Sequence, residues 1–211
     1  DGDLDILSAS QVDDAVAWYE NDGSANPSFT AVDIATSADG AYEIFTGDLD
    51  GDGDLDYICG VGARSFSIWT TDLQMVWDSG HDFSQYSTNN GQHLVDEMNT
   101  RDDNKGIEPE GVKVGEIDGR TIAFVGLERQ GGIMMYDITG MVKPKFLGYF
   151  NGRNFFGDGT KQTGGDISPE SLVFIPADKT PPLYHVRKGT PLLIGAYELS
   201  GSTAIYEVII N

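Results

Sequence analysis

The apolar residues of this chain come in short runs, rich in β-branched and aromatic side chains, separated by clusters of Gly, Asp and Asn. Such runs are typical of β-strands, and the polar clusters between them are typical of turns. The pattern predicts strands at residues 5–10, 15–20, 42–48, 56–60, 65–70, 74–78, 111–117, 121–127, 132–137, 145–150, 171–175, 192–198 and 203–209. Helix is expected only as a turn or two around residues 91–98.

Two segments near the start of the chain repeat with a period near fifty residues. Asp1-Gly-Asp3-Leu-Asp5 matches Asp52-Gly-Asp54-Leu-Asp56, and Trp18 falls where Trp69 falls. A period of this length is typical of four-stranded propeller blades. The sequence therefore predicts an all-β fold, a β-propeller-like repeat of about four four-stranded blades, in a single domain over residues 1–211.

The most informative motif is the nonapeptide at residues 48–56, in which acidic residues stand at every second position: Asp48, Asp50, Asp52, Asp54 and Asp56. Side-chain oxygens at loop positions 1, 3, 5 and 9, with the carbonyl of position 7, suit Ca²⁺ and its 6–8 oxygen ligands. An EF-hand would need a glutamate at position 12 and a helix after it, but Cys59 and an apolar strand stand there. We therefore expect Ca²⁺ at this loop, the alternative being an acidic turn without a metal.

The first copy of the motif is incomplete. Asp1, Asp3 and Asp5 have no residues before them that match Asp48 and Asp50. A calcium ion at this copy would lack two ligands, so we expect weak binding or none. We also expect the chain to begin inside a repeat, which would make the propeller partial.

Residues 1–60, through the acidic loop and Ala17-Trp-Tyr-Glu-Asn-Asp-Gly23, resemble FG-GAP/VCBS repeats of secreted propellers. Residues 61–211 resemble the choice-of-anchor I family of secreted bacterial proteins, which are often labelled alkaline-phosphatase-like. The motifs that carry this second resemblance include Lys105-Gly-Ile-Glu-Pro-Glu-Gly111, Gly126-Leu-Glu-Arg-Gln-Gly-Gly132 and Pro191-Leu-Leu-Ile-Gly195. Together the two resemblances imply a β-propeller outside the cell.

A second pattern recurs later in the chain. Glu108-Pro109-Glu110-Gly111 and Ser168-Pro169-Glu170-Ser171 begin two blades about sixty residues apart, and each blade later has a small-residue hairpin that starts with Glu128 or Glu198. Because blades of a propeller start near its central channel, Glu110, Glu128, Glu170 and Glu198 can converge there as a second calcium site or a catalytic cluster. The alternative is a structural role, in which each glutamate accepts hydrogen bonds from backbone amides. Arg129 can also neutralise its neighbour Glu128.

Charge and cysteine content narrow the class of protein. Thirteen basic and 34 acidic residues give a net charge of −21, which argues against nucleic acid or an anionic membrane as partner. No apolar run approaches the roughly 20 residues of a spanning helix. The single cysteine, Cys59, cannot form an internal disulfide, so calcium and packing are expected to hold the fold. We expect a secreted or cell-surface location.

Two functions from different classes follow. The first is a non-enzymatic, calcium-binding extracellular propeller with a role in adhesion or in surface or matrix assembly. It is expected to self-associate or to bind another extracellular protein, because a partial propeller leaves strand edges open. The alternative is a calcium-dependent phosphoesterase, similar to phytase-like propellers, in which glutamates hold Ca²⁺ ions that bind phosphate and activate water. The sequence assigns no catalytic residues and favours the first function.

Overall fold

A computed structural model of the chain describes residues 4–10, 12–13, 15–36, 41–47, 57–62, 64–70, 74–89, 106–140, 143–158, 161–182 and 185–210. The strands in these ranges are β1 Ile6–Ser10, β2 Ala15–Asn21, β3 Phe29–Ala35, β4 Ala41–Gly47, β5 Tyr57–Gly62, β6 Ser65–Thr70, β7 Met75–Asp78, β8 Pro109–Ile117, β9 Arg120–Leu127, β10 Ile133–Asp137, β11 Lys145–Phe150, β12 Pro169–Ile175, β13 Leu192–Tyr197 and β14 Ser202–Glu207. A helix, α1, spans Asp82–Asn89, and a short 3-10 turn spans Ala177–Lys179.

The strands form four antiparallel sheets, each made from strands that follow one another in the chain. Their orders are β1-β2-β3, β4-β5-β6-β7, β8-β9-β10-β11 and β12-β13-β14. Consecutive sheets contact each other through their first strands, since β1 contacts β4, β4 contacts β8 and β8 contacts β12. The fold is nearly all-β, as the sequence predicted.

One strand and one α-helix were not predicted. Strand β3 follows a polar, proline-containing segment, and Asp33 interrupts its apolar residues. Helix α1 is short and polar in sequence. It is held by tertiary packing, because Phe83 is fully buried and Tyr86 stacks on Phe146 with ring centroids 3.6 Å apart. The helix that was predicted at residues 91–98 lies outside the described residues.

The sheet β8–β11 lies between two apolar clusters, because side chains alternate between the two faces of each strand. On β9, Ala123, Val125 and Leu127 face one cluster, while Ile122 and Phe124 face the other. The first cluster joins this sheet to β6 and α1. The second joins it to the sheet β12–β14, with Leu172 and Leu193 from that sheet. This packing fixes the ends of β9 and β13 relative to each other, and Glu128 and Glu198 follow directly after these ends.

In the residues that the structure describes, no helix is long and apolar enough to cross a membrane.

Candidate metal centre

Two chain segments with the same local fold build the site. Glu108 and Ser168, each directly before a proline, have left-handed backbones, with φ of 52° and 61°. The carbonyl of Glu108 accepts a hydrogen bond from the Glu128 N–H at 2.8 Å, and the carbonyl of Ser168 accepts one from the Glu198 N–H at 2.8 Å. Such backbone conformations are costly for residues other than glycine and concentrate at functional sites. The repeat that the sequence shows is therefore a repeat of backbone geometry.

A β-bulge follows at the same position in both segments. The register of β8 with β9 shifts between Pro109 and Gly111, and the register of β12 with β13 shifts between Pro169 and Ser171. Glu110 and Glu170 are the residues inside these shifts. Because a bulge re-aims the side chain of its extra residue, both glutamates leave the regular alternation of their strands at matching points.

Small residues let the two sheets approach closely here. A Cβ atom on Gly126 would lie 3.4 Å from the carbonyl oxygen of Pro169, and one on Gly111 would lie 3.4 Å from that of Glu170. These distances are at the lower limit of ordinary contact, so larger side chains would push the sheets apart. The glutamates of the two sheets consequently share one region.

Five glutamates meet in that region and form two overlapping groups. The inner triad is Glu108, Glu110 and Glu128, and the outer triad is Glu128, Glu170 and Glu198. Within each triad, one carboxylate oxygen from every residue lies within 4.8 Å of the others. The inner residues are 7%, 5% and 2% exposed in that order, whereas Glu170 and Glu198 are exposed.

Arg129 forms ion pairs with two glutamates of the inner triad. Its Nε donates to Glu108 Oε2 at 2.5 Å, and its Nη1 lies 2.9 Å from Glu128 Oε1. The backbone holds this arginine in place, since its N–H donates to the Ile107 carbonyl at 3.2 Å and its carbonyl accepts from Arg153 Nη1 at 2.7 Å. The neutralising role that the sequence allowed for Arg129 is thus present in the geometry.

Glu128 has a strongly perturbed environment. Burial of its carboxyl, together with its interaction with Glu108 and the charge of Glu110, raises its pKa to about 9, although Arg129 acts in the opposite direction. Its Oε2 is buried and has no hydrogen-bond partner among the described residues. The same is true of both side-chain amide atoms of Gln130, two residues further on. Buried polar atoms without partners are rare in folded proteins.

The donor set of the cluster fits a hard cation. Both triads offer carboxylate oxygens alone, the ligand type that Ca²⁺ prefers, and neither contains a histidine or cysteine that would favour zinc or copper. A cation would also supply the partner that Glu128 Oε2 lacks.

The predicted site residues divide into three groups. The structure brings Glu110, Glu128, Glu170 and Glu198 together, and metal binding by them stays a prediction. Asp5 lies elsewhere, with its Oδ1 accepting the Asn21 N–H at 2.8 Å. Outside the described residues lie Asp1, Asp3, Asp48, Asp50, Asp52, Asp54 and Asp56.

Sequence reasoning missed Glu108 as a part of the site, and it did not predict that Gln130 is fully buried. Glu108 stands in the same motif as Glu110, but the matching position of the second segment is Ser168, so the comparison of repeats did not select it. Gln130 belongs to the hairpin after Glu128, where its burial depends on tertiary packing. Its only sequence signal was its place beside Glu128 and Arg129.

The fold and this site define a nearly all-β protein with an acidic cluster between consecutive sheets. The sequence model of the choice-of-anchor I domain matches residues 5–141, which is more than half of the chain. The chain therefore belongs to the choice-of-anchor I family, which indicates a secreted or surface protein. The match includes residues 5–60 of the segment that was assigned to an FG-GAP/VCBS repeat, and that finer assignment stays a prediction.

The chain is also similar to Gigasin-3a of Magallana gigas. The two are 26% identical over 176 residues, which is 74% of this chain and 60% of that protein. The chain thus spans about 60% of the length of this curated relative.

Proposed function

We propose that the protein is a calcium-binding, propeller-like protein that acts structurally outside the cell, in adhesion or in surface or matrix assembly. Membership of the choice-of-anchor I family supports the location. Contacts between the first strands of consecutive sheets support the propeller, because its blades adjoin through their inner strands. The observation that carries calcium binding is the cluster of five glutamates at the junction of two sheets.

A cation at this cluster would join two sheets. Glu128 follows β9, while Glu170 and Glu198 belong to β12 and the hairpin after β13. Ca²⁺ bound by all three would link the sheet β8–β11 to the sheet β12–β14 at the end where their first strands meet. It would also offset the repulsion among carboxylates held this close together.

The acidic loop at residues 48–56 is the second proposed calcium site. In the sequence it stands between β4 and β5, two strands of the sheet that precedes β8–β11 in the chain. Its ligand spacing and its resemblance to FG-GAP/VCBS repeats support this proposal. Two sites on neighbouring sheets would make calcium a general stabiliser of a fold with one cysteine.

Self-association is part of the proposal because strand edges are open in the described structure. β14 lies at the edge of the last sheet, and β3 lies at the edge of the first. Unpaired edges can accept a strand from another chain. A second copy or another extracellular protein would be the partner.

Charge favours this structural role over a phosphoesterase. With Ca²⁺ bound and all five glutamates ionised, the carboxylates would outweigh Arg129 and the ion by two negative charges. A phosphate ester that entered the cluster would be repelled. Ser79 follows Asp78, as the nucleophilic serine of a phosphatase can follow an aspartate, but its buried hydroxyl has a structural contact because it accepts the Phe66 N–H at 2.9 Å.

Isothermal titration calorimetry with Ca²⁺ tests the proposal. We expect a variant with Asp50→Ala and Asp52→Ala, which disables the loop, to retain Ca²⁺ binding at the cluster. Adding Glu128→Gln to this variant should weaken the remaining binding by roughly tenfold or more, since a buried charged ligand is lost. Adding Glu116→Gln, an exposed glutamate on β8, should change nothing.

Two results would contradict the proposed function. A loop-disabled protein that binds no Ca²⁺ would remove the cluster as a cation site. Calcium-dependent hydrolysis of p-nitrophenyl phosphate that is lost with Glu128→Gln would instead support the phosphoesterase.

A further inference from the structure

We infer that the glutamate cluster holds a single cation, in the outer triad of Glu128, Glu170 and Glu198, and that Arg129 takes the place of a second cation in the inner triad. This inference rests on the proposed function, because it assigns positions within the same site. The carboxylate oxygens of both triads lie within the same distance of one another, and the inference assigns the cation to one triad only.

The inner triad already contains its counter-ion. The guanidinium of Arg129 contacts Glu108 through Nε and Glu128 through Nη1. The Arg129 N–H donates to the Ile107 carbonyl, and the Arg129 carbonyl accepts from the Arg153 guanidinium, so the backbone of this arginine is held on both sides. A metal ion that entered the inner triad would lie beside this fixed positive charge in a buried environment, where like charges repel strongly.

The outer triad differs from the inner triad in its exposure and in the ion pairing of two of its members. Glu170 and Glu198 are exposed, so a hydrated cation can reach them from solvent. No described lysine or arginine forms an ion pair with either one. The third member, Glu128, has one oxygen engaged by Arg129, while its Oε2 is buried without a hydrogen-bond partner. This oxygen is the one left for a cation.

The presence of Arg129 in the inner triad and of a cation in the outer triad would have a chemical consequence. Glu128 belongs to both triads, so two cations bound at once would share it as a bridging ligand, as in sites where paired metals activate a phosphate ester. Arg129 prevents that arrangement because it occupies one of the two positions with a charge that cannot be removed. The site is thereby restricted to a structural ion.

The stoichiometry of Ca²⁺ binding tests the inference in the loop-disabled background, Asp50→Ala with Asp52→Ala. We expect one ion at the cluster when Arg129 is present. Arg129→Gln removes the charge at nearly the same size, and we expect two ions. Arg129→Lys keeps the charge, and we expect one ion. Circular dichroism confirms that each variant is folded.

A second pair of variants decides the question without changing Arg129. Glu198→Gln alters only the outer triad and should weaken the single ion roughly tenfold or more. Glu110→Gln alters only the inner triad and should weaken it by less than about threefold. Both substitutions remove one carboxylate from the same cluster, so each is the control for the other.

The possible contrary results distinguish a failure of this inference from a failure of the proposed function. Two ions with Arg129 in place, one ion with Arg129→Gln, or a larger loss from Glu110→Gln than from Glu198→Gln would overturn this inference and leave calcium binding intact. Absence of Ca²⁺ binding in the loop-disabled protein would overturn the proposed function of the cluster together with the inference.

Discussion

Replacement of Phe124 by alanine is expected to lower the free energy of unfolding by about 3–5 kcal/mol. Phe124 is fully buried on β9, and its ring stacks with that of Phe174 at a centroid distance of 5.8 Å. The two rings join the sheet β8–β11 to the sheet β12–β14. Alanine would leave a cavity that the two sheets cannot close without moving, so the loss includes both burial and packing.

Thermal unfolding measures this effect. For a domain of this size, each kcal/mol corresponds to roughly 2–4 °C in melting temperature. Phe156→Ala is the matched control, because Phe156 is 94% exposed and its loss should cost less than about 0.5 kcal/mol. Equal losses for the two variants would show that the described packing between these sheets is wrong.

Removal of calcium is expected to have the second large effect. A site at 100 times its dissociation constant stabilises the folded protein by roughly 2.7 kcal/mol. Excess EGTA should therefore lower the melting temperature by several degrees, and added Ca²⁺ should restore it. The physical cause is the removal of the cation from carboxylates that then repel one another.

Variants divide this effect between the two proposed sites. Asp50→Ala with Asp52→Ala should remove the part that comes from the acidic loop, and Glu198→Gln should remove the part that comes from the outer triad. Glu116→Gln should keep the whole effect, because this exposed residue belongs to neither proposed set of ligands. A melting temperature that is the same in EGTA and in Ca²⁺ would contradict calcium stabilisation at either site.

Much of the sheet structure could be predicted because strands have a short local period. The predicted strands at 65–70 and 145–150 have the bounds of β6 and β11. Others differ at their ends, as at β8 and β12, which each begin two residues earlier than predicted, at a proline. Proline is a poor strand residue by propensity, and the strand starts there because a bulge and a left-handed residue fix the local backbone.

The convergence of four glutamates could be anticipated from the repeat, since equivalent positions in these two neighbouring sheets lie close to each other. The asymmetry of the cluster could not. Glu108 has no counterpart in the second segment, where Ser168 stands, and Arg129 corresponds to Leu199. One segment therefore carries an extra buried carboxylate and its own counter-ion. Burial of Glu128, which raises its pKa, depends on how the sheets pack and has no local signal.

Helix α1 is a second feature that depends on tertiary packing and could not be predicted from the local sequence. Its residues have weak helix propensity, and it forms because Phe83 enters the first apolar cluster, where Tyr136 and Phe66 lie. Tertiary contacts decide such short elements.

The central claim is tested most directly by locating the ion itself. Crystals grown with Ca²⁺ and measured at a long X-ray wavelength should give an anomalous difference peak about 2.3–2.6 Å from oxygens of Glu128, Glu170 and Glu198, with the Arg129 guanidinium still beside Glu108. Absence of anomalous density among these three glutamates at saturating Ca²⁺ would contradict calcium binding at the cluster.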